Sequence, residues 1–94
     1  MTRDELLNKK PKTVADFQLE EIDGEILLYS PSATRSIYLN PSAAVIWRLC
    51  SGEFSAAEII TSLQEQFPDE ATSIAEDVPM TLEKFIESEA IELL

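Results

Sequence analysis

The sequence contains no histidine, one cysteine and two glycines in 94 residues. Each scarcity closes a class of chemistry. With no histidine and with Cys50 alone, the chain lacks the usual ligands of a zinc site and the partners of a nucleophilic triad. Gly24 and Gly52 stand far apart, so there is no glycine-rich phosphate loop. Carboxylates are plentiful, but the neighbouring pairs Asp69-Glu70 and Glu76-Asp77 point in different directions on a helix and make no acid–base dyad. These acids read as caps and solvated faces. The chain is therefore expected not to be an enzyme, and to hold no catalytic residue, metal or cofactor. A single cysteine also rules out an internal disulfide, and Cys50 reads as a buried thiol in a reducing compartment. No apolar run is long enough to span a bilayer and no signal-peptide pattern follows Met1-Thr2-Arg3, so the expected location is the cytoplasm, without a membrane partner.

Positive charge is scarce as well. Seven Lys and Arg residues face 18 Asp and Glu, a net charge of −11. Residues 1–48 hold seven acids and six bases, whereas residues 49–94 hold eleven acids and only Lys84. Such a surface repels phosphate backbones, which argues against a nucleic-acid partner.

What remains suits one small domain with a single core. Residues 1–12 are polar, end in Lys9-Lys10-Pro11-Lys12 and lack a sustained period, so they read as a flexible N-terminal arm before a domain over 13–94. From Thr13 the period is two. Asp23-Gly24 is the signature of a two-residue type I′ hairpin turn, which pairs Ile22 with Glu25 and Leu19 with Leu28. Phe17, Leu19, Ile26 and Leu28 then share one face, and Gln18, Glu20, Leu27 and Tyr29 form a wettable opposite face. Ser30 to Thr34 make a turn. Arg35 to Asn40 form a third strand with Ile37 and Leu39 inward, and meander connections leave that strand at an open edge.

The middle of the chain carries a complete helix. Asn40 is its cap, Pro41 its first residue and Gly52 its stop, with Val45, Ile46 and Leu49 as an apolar stripe widened by Trp47 and Cys50. Ser55 and Glu58 then match a capping box, and Phe54 and Ile59 the staple positions around it, which starts a second helix running to about Gln66. A third helix spans about Glu70 to Ser88 on the spacing of Ile74, Val78, Leu82, Phe85 and Ile86. Pro79 leaves two readings of it: one kinked helix, or a new helix starting near Asp77. The predicted class is α+β, a three-stranded antiparallel sheet followed by three helices, which is the winged helix-turn-helix arrangement.

Leu39-Asn40-Pro41-Ser42-Ala43-Ala44-Val45-Ile46-Trp47 with Leu49 and Gly52, then Ala57-Glu58-Ile59-Ile60, Asp77-Val78 and Phe85-Ile86, resemble the PqqD family over roughly residues 10–92. The resemblance implies a non-catalytic recognition element for ribosomally synthesised peptides, as in pyrroloquinoline quinone biosynthesis. Its implied partners are the leader of a precursor peptide and a modifying enzyme, either a radical S-adenosylmethionine enzyme or, in lasso-peptide pathways, a leader peptidase. It also implies that the leader adds as a strand to the third strand. The expected peptide contacts are the backbone of Arg35, Ser36, Ile37, Tyr38 and Leu39 and a wall whose candidates are Val78, Leu82, Lys84 and Phe85, the apolar ones of which read equally as plain core. An unfilled edge allows either a monomer or an edge-paired dimer. The alternative reading, a winged-helix DNA-binding regulator, is disfavoured by the acidic helical half.

Overall fold

Residues 2–94 are described by a computed structural model, and Met1 lies outside the described residues. The order of elements is α1 (Arg3–Leu7), β1 (Pro11–Thr13), β2 (Gln18–Ile22), β3 (Glu25–Ser30), β4 (Arg35–Leu39), α2 (Pro41–Leu49), α3 (Ala56–Gln66), a 3₁₀ turn (Pro68–Glu70), α4 (Ala71–Glu87) and β5 (Ile91–Leu93). The class is α+β. One antiparallel sheet has the order β2-β3-β4, and β1 pairs with β5 in a separate two-stranded ribbon.

The hairpin forms as its turn dictates. Asp23 and Gly24 have φ of 52° and 81°, both positive as a type I′ turn requires. The register follows without interruption: Ile22 faces Glu25, Leu19 faces Leu28, and Leu28 in turn faces Ile37 on β4. Leu28 is wholly buried and Phe17, Leu19, Ile37 and Leu39 pack partly buried against the same core. The opposite face is drier at its centre than a wettable surface would be. Leu27 is buried because it sits on the middle strand between Glu20 and Tyr38, whose side chains flank it in register.

The helices begin as read and bury slightly different faces. The Asn40 side chain accepts from the Ala43 N–H at 2.8 Å, and Pro41 opens α2. The buried stripe of α2 is Ala43, Ile46, Trp47 and the capping Cys50 at i, i+3, i+4 and i+7, which turns Val45 out to 41% exposure. Trp47 meets Phe85 of α4 edge-on at 5.4 Å between ring centres, and Phe17 at 6.5 Å. Gly52 does not close α2, which ends at Leu49 with Cys50 as its cap. Its φ of +85° instead turns the chain under β1: its N–H donates to the Pro11 carbonyl at 2.9 Å, and a Cβ would stand 3.3 Å from the Lys12 and Leu94 side chains.

The capping box of α3 is complete, with Glu58 N–H donating to Ser55 Oγ at 3.1 Å and Ser55 N–H to Glu58 Oε1 at 2.8 Å. Helix α4 runs unbroken through Pro79. Proline removes one helical donor there, but Val78, Leu82 and Phe85 form a buried i, i+4, i+7 stripe that holds both halves on the core. Its C-terminus is a Schellman closure: Ala90 N–H reaches the Phe85 carbonyl at 2.9 Å, Glu89 N–H reaches Ile86 at 3.0 Å, and Glu89 takes a left-handed φ of 60°.

The N-terminal segment is not a free arm. Thr2 caps α1 by accepting from Glu5 N–H at 3.2 Å, and Leu6 is 1% exposed within the core. Pro11 to Thr13 pair with Leu93 to Ile91. Two adjacent leucines, Leu6 buried and Leu7 partly buried, in a five-residue helix leave no period to detect, and the strand partner lies at the far end of the sequence. Beyond β1, Asp16 accepts from the hydroxyls of Ser30 and of Ser32, the latter at 2.9 Å, which ties the entry of β2 to the β3–β4 turn.

Three stability outcomes follow. Leu6→Ala lowers stability by about 2–5 kcal/mol in chemical denaturation, as a core truncation does, where a mobile arm would show no change. Glu89→Gly relieves the left-handed strain and, after its own unfolded-state entropy, adds about 0.5–1 kcal/mol, a rise in Tm of a few degrees. The two seryl hydrogen bonds hold the Asp16 carboxyl below its ordinary 3.8, so the ionised form favours the folded state. That stabilisation is full above about pH 4 and is lost as pH falls through the lowered folded value. Asp16→Asn therefore melts below the wild type at pH 7, and the gap closes in acid.

Candidate functional site

A type I′ turn closes on a narrowly spaced, doubly hydrogen-bonded pair, and hydrogen-bonded and non-hydrogen-bonded pairs alternate outward from it. Ile22–Glu25 is that pair, so Glu25, Leu27 and Tyr29 bond toward β2, and Ile26, Leu28 and Ser30 toward β4. On β4, Leu39, Ile37 and Arg35 answer them. Ser36 and Tyr38 are left to direct their N–H and C=O groups away from the sheet. Among the described residues no backbone group from another element meets these.

Of the five backbone positions expected at the edge, Ser36 and Tyr38 thus carry the free donors and acceptors. Arg35, Ile37 and Leu39 are committed to β3. Tyr38 is 70% exposed on the outer face, while Ile37 and Leu39 turn toward α4.

Beside this edge lies a concavity of about 110 Å³ between β4 and α4. It is lined by the apolar residues Ile37, Leu39, Ala43 and Phe85 together with Tyr38, Asn40, Thr81 and Lys84. It continues through Asn40, Thr81 and Lys84 into a shallower depression reaching Ser42, Asp77 and Met80. Of the four helix residues expected at the groove, Lys84 and Phe85 border this concavity. Val78 and Leu82 do not line it and are buried in the core. The groove is lined by the neighbouring ridge of α4, at positions 77, 81 and 84. Sequence reasoning missed Asn40, Ala43, Thr81 and Met80. The i+3 and i+4 neighbours of Lys84 and Asp77 were the signal for Thr81 and Met80, since they share a face with those residues.

Electrostatically the groove is a local exception on an acidic half. Lys84 makes no ion pair among the described residues, where Arg3–Glu83, at 3.3 Å and half exposed, links α1 to α4. At the opposite end of β4, Arg35 Nη1 donates to the Ser88 carbonyl at 3.1 Å. A further depression borders the same edge at the hairpin end, lined by Gly24, Glu25, Ile26, Tyr38, Leu39 and Pro41. One between α1 and α4 over Leu6 and Ile86, rimmed by Glu83 and Glu87, and another along α3 near Phe54, Glu58 and Glu65 do not border a free backbone edge.

Groups that might carry chemistry are placed for structure. Burial pushes the Cys50 thiol up to about 12, and the thiol donates to the Ile46 carbonyl at 3.2 Å, so it is no nucleophile. Among the described residues no three His, Cys, Asp or Glu side chains gather to hold a metal ion, and no helix is long and apolar enough to cross a membrane.

Comparison with known proteins bears on the same region. No curated protein and no solved structure matches the chain. Residues 25–91, from β3 to the first residue of β5, match the family described as coenzyme PQQ synthesis protein D, and on that match the chain belongs to the PqqD family.

Proposed function

We propose that the protein is a non-catalytic recognition element that binds the leader of a ribosomally synthesised precursor peptide and presents it to a modifying enzyme. The observation that carries this reading is the free edge of β4 opening directly onto an apolar groove. A leader segment adds as a fourth strand, bonding to the backbone of Ser36 and Tyr38. Its side chains opposite Ile37 and Leu39 fall toward Ala43 and Phe85, and the alternate ones lie beside Tyr38 on the outer face. Main-chain bonds supply affinity irrespective of sequence, and the groove supplies selectivity.

Membership of the PqqD family supports the peptide partner and an accessory, non-catalytic role in peptide-derived cofactor or natural-product synthesis. The enzyme partner is a radical S-adenosylmethionine enzyme or a leader peptidase, reached in the cytoplasm. The scaffold is of the winged-helix kind, with α2 and α3 as its helix-turn-helix. A DNA-binding role finds little support in the charges: Glu76, Asp77, Glu83 and Glu87 crowd α4 around Lys84.

Isothermal titration with a synthetic leader of the precursor encoded beside this chain tests the proposal, and a Kd tighter than about 100 μM is expected. Tyr38→Pro removes a donor from the free edge without touching the β3 ladder, and weakens binding about tenfold, the equivalent of one hydrogen bond of about 1.4 kcal/mol. Ile37→Pro breaks a bond to β3 and lowers Tm instead, while Glu65→Ala on the far surface of α3 changes neither. Absence of binding by the wild type, or equal binding by Tyr38→Pro, overturns strand addition.

A further inference from the structure

The groove needs a fixed width, and its two ends are held by different means. At the Leu39 end the chain itself does it, because β4 passes through Asn40 directly into α2, whose Ala43 lines the groove. At the Arg35 end β4 and α4 are far apart in sequence. Among the described residues the one side-chain hydrogen bond between them is Arg35 Nη1 to the Ser88 carbonyl, across 53 positions.

Both ends of that bond are unusually well fixed. On the strand side, Arg35 pairs with Ser30, and the Ser30 hydroxyl donates to Asp16, which also holds Ser32. On the helix side, Ser88 caps α4 and is followed by Glu89 in its left-handed conformation. The Schellman bonds occupy the carbonyls of Phe85 and Ile86, and Ser88 N–H takes that of Lys84. The Ser88 carbonyl points outward at the negative end of the helix dipole, where a guanidinium is favoured. The result is a polar chain, Asp16 to Ser30 and Ser32, then Arg35 to Ser88, which joins β4 two residues before Ile37 to α4 one turn beyond Lys84.

We propose that Arg35 is a positioning residue for peptide recognition: it straps the start of the edge strand to the last turn of α4 and so sets the width of the groove. This rests on the strand-addition reading for its effect on binding, but the strap is a property of the free protein. Arg35 is exposed, and its bond lies at the surface rather than in the core, so its loss loosens the helix end without unfolding the domain. Lysine keeps the charge but offers a single point donor on a different reach, so it restores the strap in part.

Two measurements on the full chain decide the matter. Amide hydrogen exchange of the free protein, comparing wild type with Arg35→Ala, is expected to accelerate over residues 84–90 while Tm stays within about 2 °C, a fraction of 1 kcal/mol for a domain of this size. Fluorescence anisotropy with a labelled synthetic leader of the neighbouring precursor should then show a roughly fivefold rise in Kd, about the effect of a cation at an exposed helix C-terminus. Arg35→Lys should fall between the two in both assays. Unchanged exchange in Arg35→Ala overturns the strap whether or not any peptide binds. A large fall in Tm, or faster exchange with an unaltered Kd, overturns the positioning role. Tyr38→Pro in the same anisotropy assay keeps the two ideas separate: if it binds like the wild type, strand addition fails, while the exchange result still stands or falls alone.

Discussion

Two consecutive positive φ angles, at Asp23 and Gly24, govern the polarity of the whole sheet. A type I′ turn admits one closing pair, and that pair fixes which residues of β3 bond to each side. Because β4 continues the alternation without a bulge, the turn at one end of the sheet decides which amides are free at the other edge. A slip of one residue between β2 and β3 would put Glu20 on the same face as Leu28, and would also exchange Ser36 and Tyr38 for Arg35, Ile37 and Leu39 at the edge. Core burial and the choice of docking atoms are therefore one constraint. The side chains that could enter a groove and the backbone groups that could hold a ligand are set together.

The groove depends equally on how α2 and α4 meet. Trp47 and Phe85 touch edge-on at 5.4 Å, a geometry that aromatic quadrupoles favour. With Phe85 held there, its ring serves both the core and the groove lining. The next ridge of α4 is then presented to the edge strand. Pro79 lies within this helix and is buried beside Val78, so the packed stripe and not an intact hydrogen-bond ladder keeps the helix in place.

Local signals were legible in the sequence and distant ones were not. Asp23-Gly24, Asn40-Pro41 and the Ser55…Glu58 box each act within four residues, and each appears with the geometry its chemistry requires. The apolar spacing of α4 matches its buried stripe of Val78, Leu82 and Phe85, whereas in α2 the stripe lies about one position from Val45, and the groove is lined by the α4 ridge next to Val78 and Leu82. Apolar periodicity reports that a helix has a buried face, but the orientation of that face is set by Phe17, Trp47 and Phe85 meeting in space. Leu6 and Leu7 suggest one loose helical turn in the sequence, but its docking on the core and the pairing of β1 with β5 are not legible, because a five-residue helix and a three-residue strand contain too few residues to show a period. Likewise Gly52 signalled a positive φ correctly, while its purpose, close approach to Lys12 and Leu94, depends on contacts with both ends of the chain.

An open edge strand bordered by an apolar groove is also an aggregation template, and this one carries neither proline nor lysine to blunt it. The charges of α4 nearest that edge are of both signs: Lys84 and Asp77 border the groove and its continuation, while Glu83 pairs with Arg3 and Glu87 rims the depression facing α1. The net charge of −11 opposes close approach of two copies over a Debye length of about 8–10 Å at ordinary ionic strength. The groove lining offers few groups suited to acid–base chemistry. Asn40 accepts the Ala43 amide as a helix cap, and Thr81 and Ser42 have no histidine beside them to draw off a proton. The excess of acid therefore works against pairing of two copies through this edge.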